Sequence, residues 1–122
     1  FTIINDSYNA NPDSMKAALK VLENYSGNRK IAVLGAMGEL GDYAKEAHAE
    51  VGRFAKGKAD ILLTTGDFKE CYEEGFKEGT ILFKTKQELM EKLANMIKTN
   101  DTILVKASRS EKFEEIIKYI EK

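Results

Sequence analysis

The sequence predicts an α/β domain of three layers, a mainly parallel sheet of five strands with helices on both faces. Three observations predict it. Short β-branched runs alternate with amphipathic stretches of helical period from one end of the chain to the other, turn residues bound the runs, and capping signals stand just ahead of the helical stripes. Strict alternation favours parallel pairing, because a parallel neighbour is reached only through a crossover, and crossover helices cover the sheet.

The first strand is expected at Thr2 to Asn5, a β-branched run. Asn11 then reads as the cap of a helix that Pro12 opens, since proline at the first helical position gives up no hydrogen bond. Met15, Ala18, Leu19 and Leu22 form the buried stripe of that helix. The second strand, Lys30 to Leu34, runs into a glycine-rich loop ending at the cap residue Asp42, and Ala44, Ala47, Val51 and Phe54 mark the next helix. A third strand at Asp60 to Thr64 precedes Asp67 and Glu70, which have capping-box spacing, and a stripe of Phe68, Cys71, Tyr72, Gly75 and Phe76. Thr80 to Phe83 is the fourth strand; Thr85 with Glu88 caps the stripe Leu89, Leu93, Ala94, Ile97. Thr102 to Val105 is the fifth, and Ser108 with Glu111 is expected to cap the helix of Phe113, Ile116, Ile117 and Ile120. This Rossmann-like arrangement puts every loop that follows a strand on one edge, where open α/β sheets bind ligands. Five loops converge there: Asp6 to Asn11, Gly35 to Asp42, Thr65 to Asp67, Lys84 to Thr85 and Lys106 to Ser110.

With 122 residues the chain, 1–122, fits one domain, and 43% hydrophobic against 32% charged residues with a net charge of -1 is an ordinary globular balance. Lysines and arginines alternate with acids, so no basic stripe for nucleic acid is formed. The longest apolar runs fall far short of the roughly 20 residues that cross a bilayer. A lone cysteine, Cys71, excludes an intrachain disulfide, fits a reducing compartment and therefore a cytoplasmic location, and is expected to be a small buried hydrophobe. Because the chain starts at Phe1, inside a strand, it is expected to be a domain cut from a longer protein.

Two loops carry more chemistry than their turns require. Asp6-Ser7-Tyr8-Asn9-Ala10-Asn11 packs a carboxylate, an aromatic ring and two amides into six positions, a set able to meet ribose or phosphate. Lys106-Ala107-Ser108-Arg109-Ser110 puts two cations on a loop leading into a helix N-terminus, a carboxylate or phosphate site. The loop Gly35-Ala36-Met37-Gly38-Glu39-Leu40-Gly41-Asp42 lacks the dinucleotide fingerprint but allows close backbone approach. Gly52 to Ala59 nearly spells a phosphate-binding loop. It fails, because Ala59 stands where Ser or Thr must hold magnesium and a helix, not a strand, precedes it. Any ATP chemistry must borrow a phosphate cradle. His48 has no Cys or His partner nearby and reads as packing or surface, and no metal site is expected in this chain.

The motifs around Asp6 to Met15 and Val33 to Gly41, His48 with Val51-Gly52, and Val105 to Ser110 together resemble the C-terminal domain of the Mur ligases, closest to the branch that adds D-alanyl-D-alanine. The chain departs from the family at Ala36, usually an acid, for which Glu39 or Asp42 could substitute, and at Ala107 and Glu111. The resemblance implies a three-domain ATP-dependent ligase whose N-terminal domain holds UDP-N-acetylmuramoyl tripeptide and whose central domain supplies the phosphate loop and holds Mg2+. An acyl phosphate of the tripeptide is then attacked by the amine of D-alanyl-D-alanine. It further implies that Asp6, Tyr8, Asn9 and Asn11 face the nucleotide, that Lys106, Ser108 and Arg109 face the acceptor dipeptide or the phosphoryl group, and that Asp6, Lys106 and Arg109 serve catalysis. An antiparallel strand upstream of Phe1 belongs to the same expectation. A phosphoacceptor receiver domain is the rival reading, with Asp6, Asp67, Thr85 and Lys106 near its acidic, hydroxyl and lysine positions.

Overall fold

A computed structural model describes residues 1–6 and 9–122. Five strands, β1 (Thr2–Asn5), β2 (Arg29–Leu34), β3 (Ile61–Thr65), β4 (Thr80–Phe83) and β5 (Asp101–Lys106), alternate with five helices. The helices are α1 (Pro12–Asn24), α2 (Ala44–Ala55), α3 (Lys69–Phe76), α4 (Lys86–Met96) and α5 (Glu114–Ile120). All four strand pairings are parallel, in the order β1-β5-β2-β3-β4. The chain steps in one direction from β1 to β4, then returns to insert β5 between β1 and β2. Right-handed crossovers therefore put α1, α2 and α3 on one face, while α4 and α5 cover the other. Two cores confirm the division. Leu19, Leu22, Val51, Tyr72 and Phe76 pack with Ala32, Leu34, Leu62 and Leu104 on the first face; Leu89, Leu93, Phe113 and Ile116 pack with Ile31, Val33, Ile103 and Val105 on the second.

Central β5 and β2 are buried nearly end to end, as expected of strands with helices on both faces. Asn11 caps α1 as expected. Its Oδ1 accepts from the Ser14 amide at 2.8 Å, and Ser14 Oγ accepts from the Asn11 amide at 3.0 Å. Thr85 likewise accepts from the Glu88 amide at 3.1 Å. The other caps differ. Helix α3 begins at Lys69 without a side-chain cap from Asp67, and Asp42 lies within a 3-10 turn, Gly41–Tyr43, that leads into α2. Ser108 precedes a second such turn, Arg109–Glu111, and makes no capping bond; α5 starts only at Glu114. In each case a tight turn intervenes and lifts the polar residue away from the amides it was expected to meet. Cys71 is half-buried rather than buried, with Tyr72, Gly75 and Phe76 forming the inner face of α3.

The rejected phosphate-loop segment is explained by packing. Gly52 lies inside α2, and a Cβ there would stand 2.5 Å from the Tyr72 carbonyl oxygen; a Cβ on Gly75 would stand 2.1 Å from the Ala49 carbonyl oxygen. The two glycines let α2 and α3 touch backbone to backbone. Gly75→Ala should accordingly destabilise the fold by about 1–3 kcal/mol through overpacking, outweighing the gain of up to about 1 kcal/mol that alanine brings to a helix. Urea unfolding checks it: a midpoint at or above the parent's would mean that the helices move apart without penalty.

Candidate functional site

Loops after the strands do gather at one edge, and the reversal of strand order falls where β1, β5 and β2 meet. An open cleft of about 280 Å³ lies there, lined by Asn9 and Ala10 after β1, Gly38 and Glu39 after β2, and Ser108, Arg109 and Ser110 after β5. Opening a crevice at such a switch point is a property of the topology, because adjacent loops leave toward opposite faces of the sheet. A larger hollow of about 420 Å³, lined by Val21, Asn24, Tyr25 and Ser26, sits at the far end of α1 and carries no charged group. Chemistry belongs to the smaller one.

Of the expected residues, Asn9, Ser108 and Arg109 line the cleft. Asn9 and Arg109 are exposed, and Ser108 Oγ lies 3.1 Å from Ser110 Oγ. Asn11 has its side-chain Oδ1 engaged by the Ser14 amide, which leaves its side-chain Nδ2 as the group able to donate to a ligand. Tyr8 lies outside the described residues. Lys106 does not stand in the loop as an open cation. It is the last residue of β5, only 1% exposed, and its ammonium meets Asp6 Oδ1 at 3.0 Å and the Asp6 carbonyl oxygen at 3.1 Å. The structure thus joins the two residues into a pair that fixes the start of the β1 loop on β5, and the Asp6 side chain keeps 40% of its surface in solvent.

The wall after β2 is tied down just as closely. Gly35 donates to the Lys106 carbonyl at 3.0 Å and Ser108 donates to the Ala36 carbonyl at 2.9 Å, so the β2 and β5 loops hold each other. A Cβ on Gly35 would come within 2.5 Å of the Phe113 ring. Of the two acids that could stand in for one at Ala36, Glu39 lines the cleft and Asp42 does not. Sequence reasoning offered Glu39 and Asp42 together as stand-ins for that acid, because spacing in a glycine-rich loop does not choose between them. Glu111 was read as a capping partner and as a departure from the family pattern. It is half-buried, and burial, reinforced by the nearby Asp67 charge, pushes its carboxyl up from the usual range. Lys86 steadies that corner, donating to the Glu111 carbonyl at 3.2 Å and pairing with Glu115 at 2.6 Å.

The receiver reading fails on topology. Its sheet order, 2-1-3-4-5, sets β1 beside β3, whereas here β5 and β2 separate them, and Asp6 and Asp67 end on loops two strands apart.

Residues 1–109 match the family model of the Mur ligase, glutamate ligase domain. The UDP-N-acetylmuramoyl-tripeptide–D-alanyl-D-alanine ligase of Bacillus subtilis is 39% identical over 96% of the chain, and that of Escherichia coli is 36% identical over 98%. Among solved structures, MurF from Acinetobacter baumannii superposes over 98% of the chain with a TM-score of 0.88 at 35% identity. MurF ligase from Thermotoga maritima, in complex with ADP, superposes with a TM-score of 0.83 at 30% identity, again over 98% of the chain. The chain spans 26% to 27% of the length of these relatives. A five-stranded parallel sheet, a cleft at its switch point and a match over residues 1–109 agree, and the chain belongs to the Mur ligase C-terminal domain family.

Proposed function

We propose that this chain is the C-terminal domain of a three-domain, ATP-dependent cytoplasmic ligase that joins D-alanyl-D-alanine to UDP-N-acetylmuramoyl tripeptide in peptidoglycan synthesis. The observation that carries it is the cleft, whose lining combines an amide from the loop after β1, a carboxylate from the loop after β2, and a guanidinium and hydroxyls from the loop after β5. Arg109 offers a carboxylate the forked donor geometry that a planar anion matches, and Ser108 stands beside it. Asn9, the amide of Asn11 and the solvent-facing side of Asp6 present the donors and acceptor that a nucleotide's phosphate and ribose need. Among the described residues no three of His, Cys, Asp or Glu converge as metal ligands would. Magnesium would be held with ATP by the central domain, where it would screen phosphate charge. This domain's part is positioning and charge neutralisation, which carry most of a phosphoryl transfer.

The test is kinetic, in the full-length ligase. Arg109→Ala should raise the KM for D-alanyl-D-alanine about tenfold or more while that for ATP changes little. The reverse pattern would move Arg109 to the phosphoryl group; unchanged constants for both would remove it from the site.

A further inference from the structure

The cleft wall after β2 depends on an imidazole that touches no cleft surface. His48, on α2, is fully buried; its ring stacks on Phe68 at 4.3 Å between centroids and meets Tyr72 edge-on at 5.1 Å. Its Nδ1 lies 2.6 Å from the Ala44 carbonyl oxygen, and its Nε2 lies 2.9 Å from the Met37 amide nitrogen. A carbonyl only accepts and an amide N–H only donates, so Nδ1 carries the proton and Nε2 carries none. One protonation state satisfies both contacts. The next two residues, Gly38 and Glu39, line the cleft, and Glu39 is held at φ 59, a left-handed conformation that a side chain of this type adopts only when its surroundings enforce it.

We propose that His48 is a positioning residue, its bare Nε2 holding Met37 to Glu39 in the path that shapes the cleft, and that a proton taken from solvent onto Nε2 releases that segment. A protonated Nε2 would aim a donor at the Met37 donor, and the bond would break. Burial pushes the imidazole's pKa down, against the smaller opposing pull of the Ala44 carbonyl. The titratable group facing the ring from α3 is Tyr72, whose hydroxyl is given to the Gly35 carbonyl at 2.7 Å; no carboxylate or ammonium bonds to the ring among the described residues. Since the folded-state pKa lies below the unfolded value of 6.5, the unfolded chain takes up the proton first on acidification. Stability is complete above that pH and falls below it until the folded-state pKa is reached.

Amide exchange of this chain, followed residue by residue with His48 titration, tests the proposal. Met37 protection should fall about tenfold or more as His48 protonates, while Val33 in β2 keeps its own. His48→Gln, which retains an acceptor and a donor but does not titrate, should stay protected at every pH; His48→Phe, which keeps only the stacked ring, should be unprotected at every pH. A proton found on Nε2 at neutral pH, or a pH step that persists in His48→Gln, would overturn it. The consequence for turnover rests on the function proposed above. In the full-length ligase His48→Gln should remove an acid limb from the kcat/KM profile for the dipeptide. A full-length protein without ligase activity would defeat the proposed function, and the Met37 measurement would still decide His48.

Discussion

Asp101→Ala should lower the stability of this domain by about 3–5 kcal/mol, the cost typical of breaking a buried ion pair. The carboxylate is 2% exposed and takes the Arg29 guanidinium through two bonds, Nη2 at 2.7 Å and Nε at 3.1 Å. It also accepts the Lys98 amide at 2.8 Å, while Arg29 reaches the Met96 carbonyl at 2.6 Å. Arg29 and Asp101 are register partners at the start of β2 and β5. One side chain thereby locks the two central strands, the end of α4 and the turn into β5. Burial pushes the Asp101 carboxyl up, yet the Arg29 bond and the Lys98 amide together outweigh it, so the group sits below the usual carboxylate range. Its contribution is therefore present above the unfolded value of 3.8 and is lost as pH falls through the folded-state value. Domains of this size are stable by only about 5–15 kcal/mol, so the variant should unfold at far lower urea. Because this lock is at the edge opposite the cleft, cleft residues should keep their native spectra under conditions where the variant is folded. A loss under about 1 kcal/mol would show the pair to behave as an exposed one.

Elements carried by periodicity were legible in the sequence. All five strands fall within one residue of expectation at either end, because β-branched runs between turn residues have few other uses. The edge that bears the loops followed from alternation alone, with no knowledge of strand order. What the sequence hid is what depends on distance in the chain. Lys106 and Asp6 stand a hundred residues apart, and only the insertion of β5 beside β1 makes them a pair. His48 and Met37 are eleven residues apart across a glycine-rich loop and a 3-10 turn, with no period to connect them. The missed caps have a local cause. At Asp67, Asp42 and Ser108 the polar residue and the spacing are present, but a turn is interposed before the helix, and capping depends on backbone angles that spacing does not specify.

The Lys106–Asp6 pair changes what substitution of Asp6 should do. Read as a solvent-facing carboxylate, Asp6 could be replaced by alanine with little change in melting temperature. In the structure that substitution leaves the ammonium of a residue 1% exposed with only the Asp6 carbonyl, at 3.1 Å, as a partner among the described residues. About 1.5–3 kcal/mol of stability should be lost, less than for a fully buried pair, since the Asp6 side chain is 40% exposed and water reaches that end. Lys106→Met should cost less, because the freed carboxylate can be solvated where it stands. Combining it with Asp6→Ala should restore most of the stability, as removal of both charges leaves nothing stranded. Catalysis separates the roles. In the full-length ligase Asp6→Ala should lower kcat/KM by more than tenfold, a loss above about 1.4 kcal/mol of transition-state stabilisation, and the double variant should remain as slow although it is stable again. Recovery of full activity in the double variant would mean that Asp6 serves only to neutralise Lys106. Persistent loss, with the melting temperature restored, would place the Asp6 carboxylate against the nucleotide, with Lys106 as the buried charge that aims it.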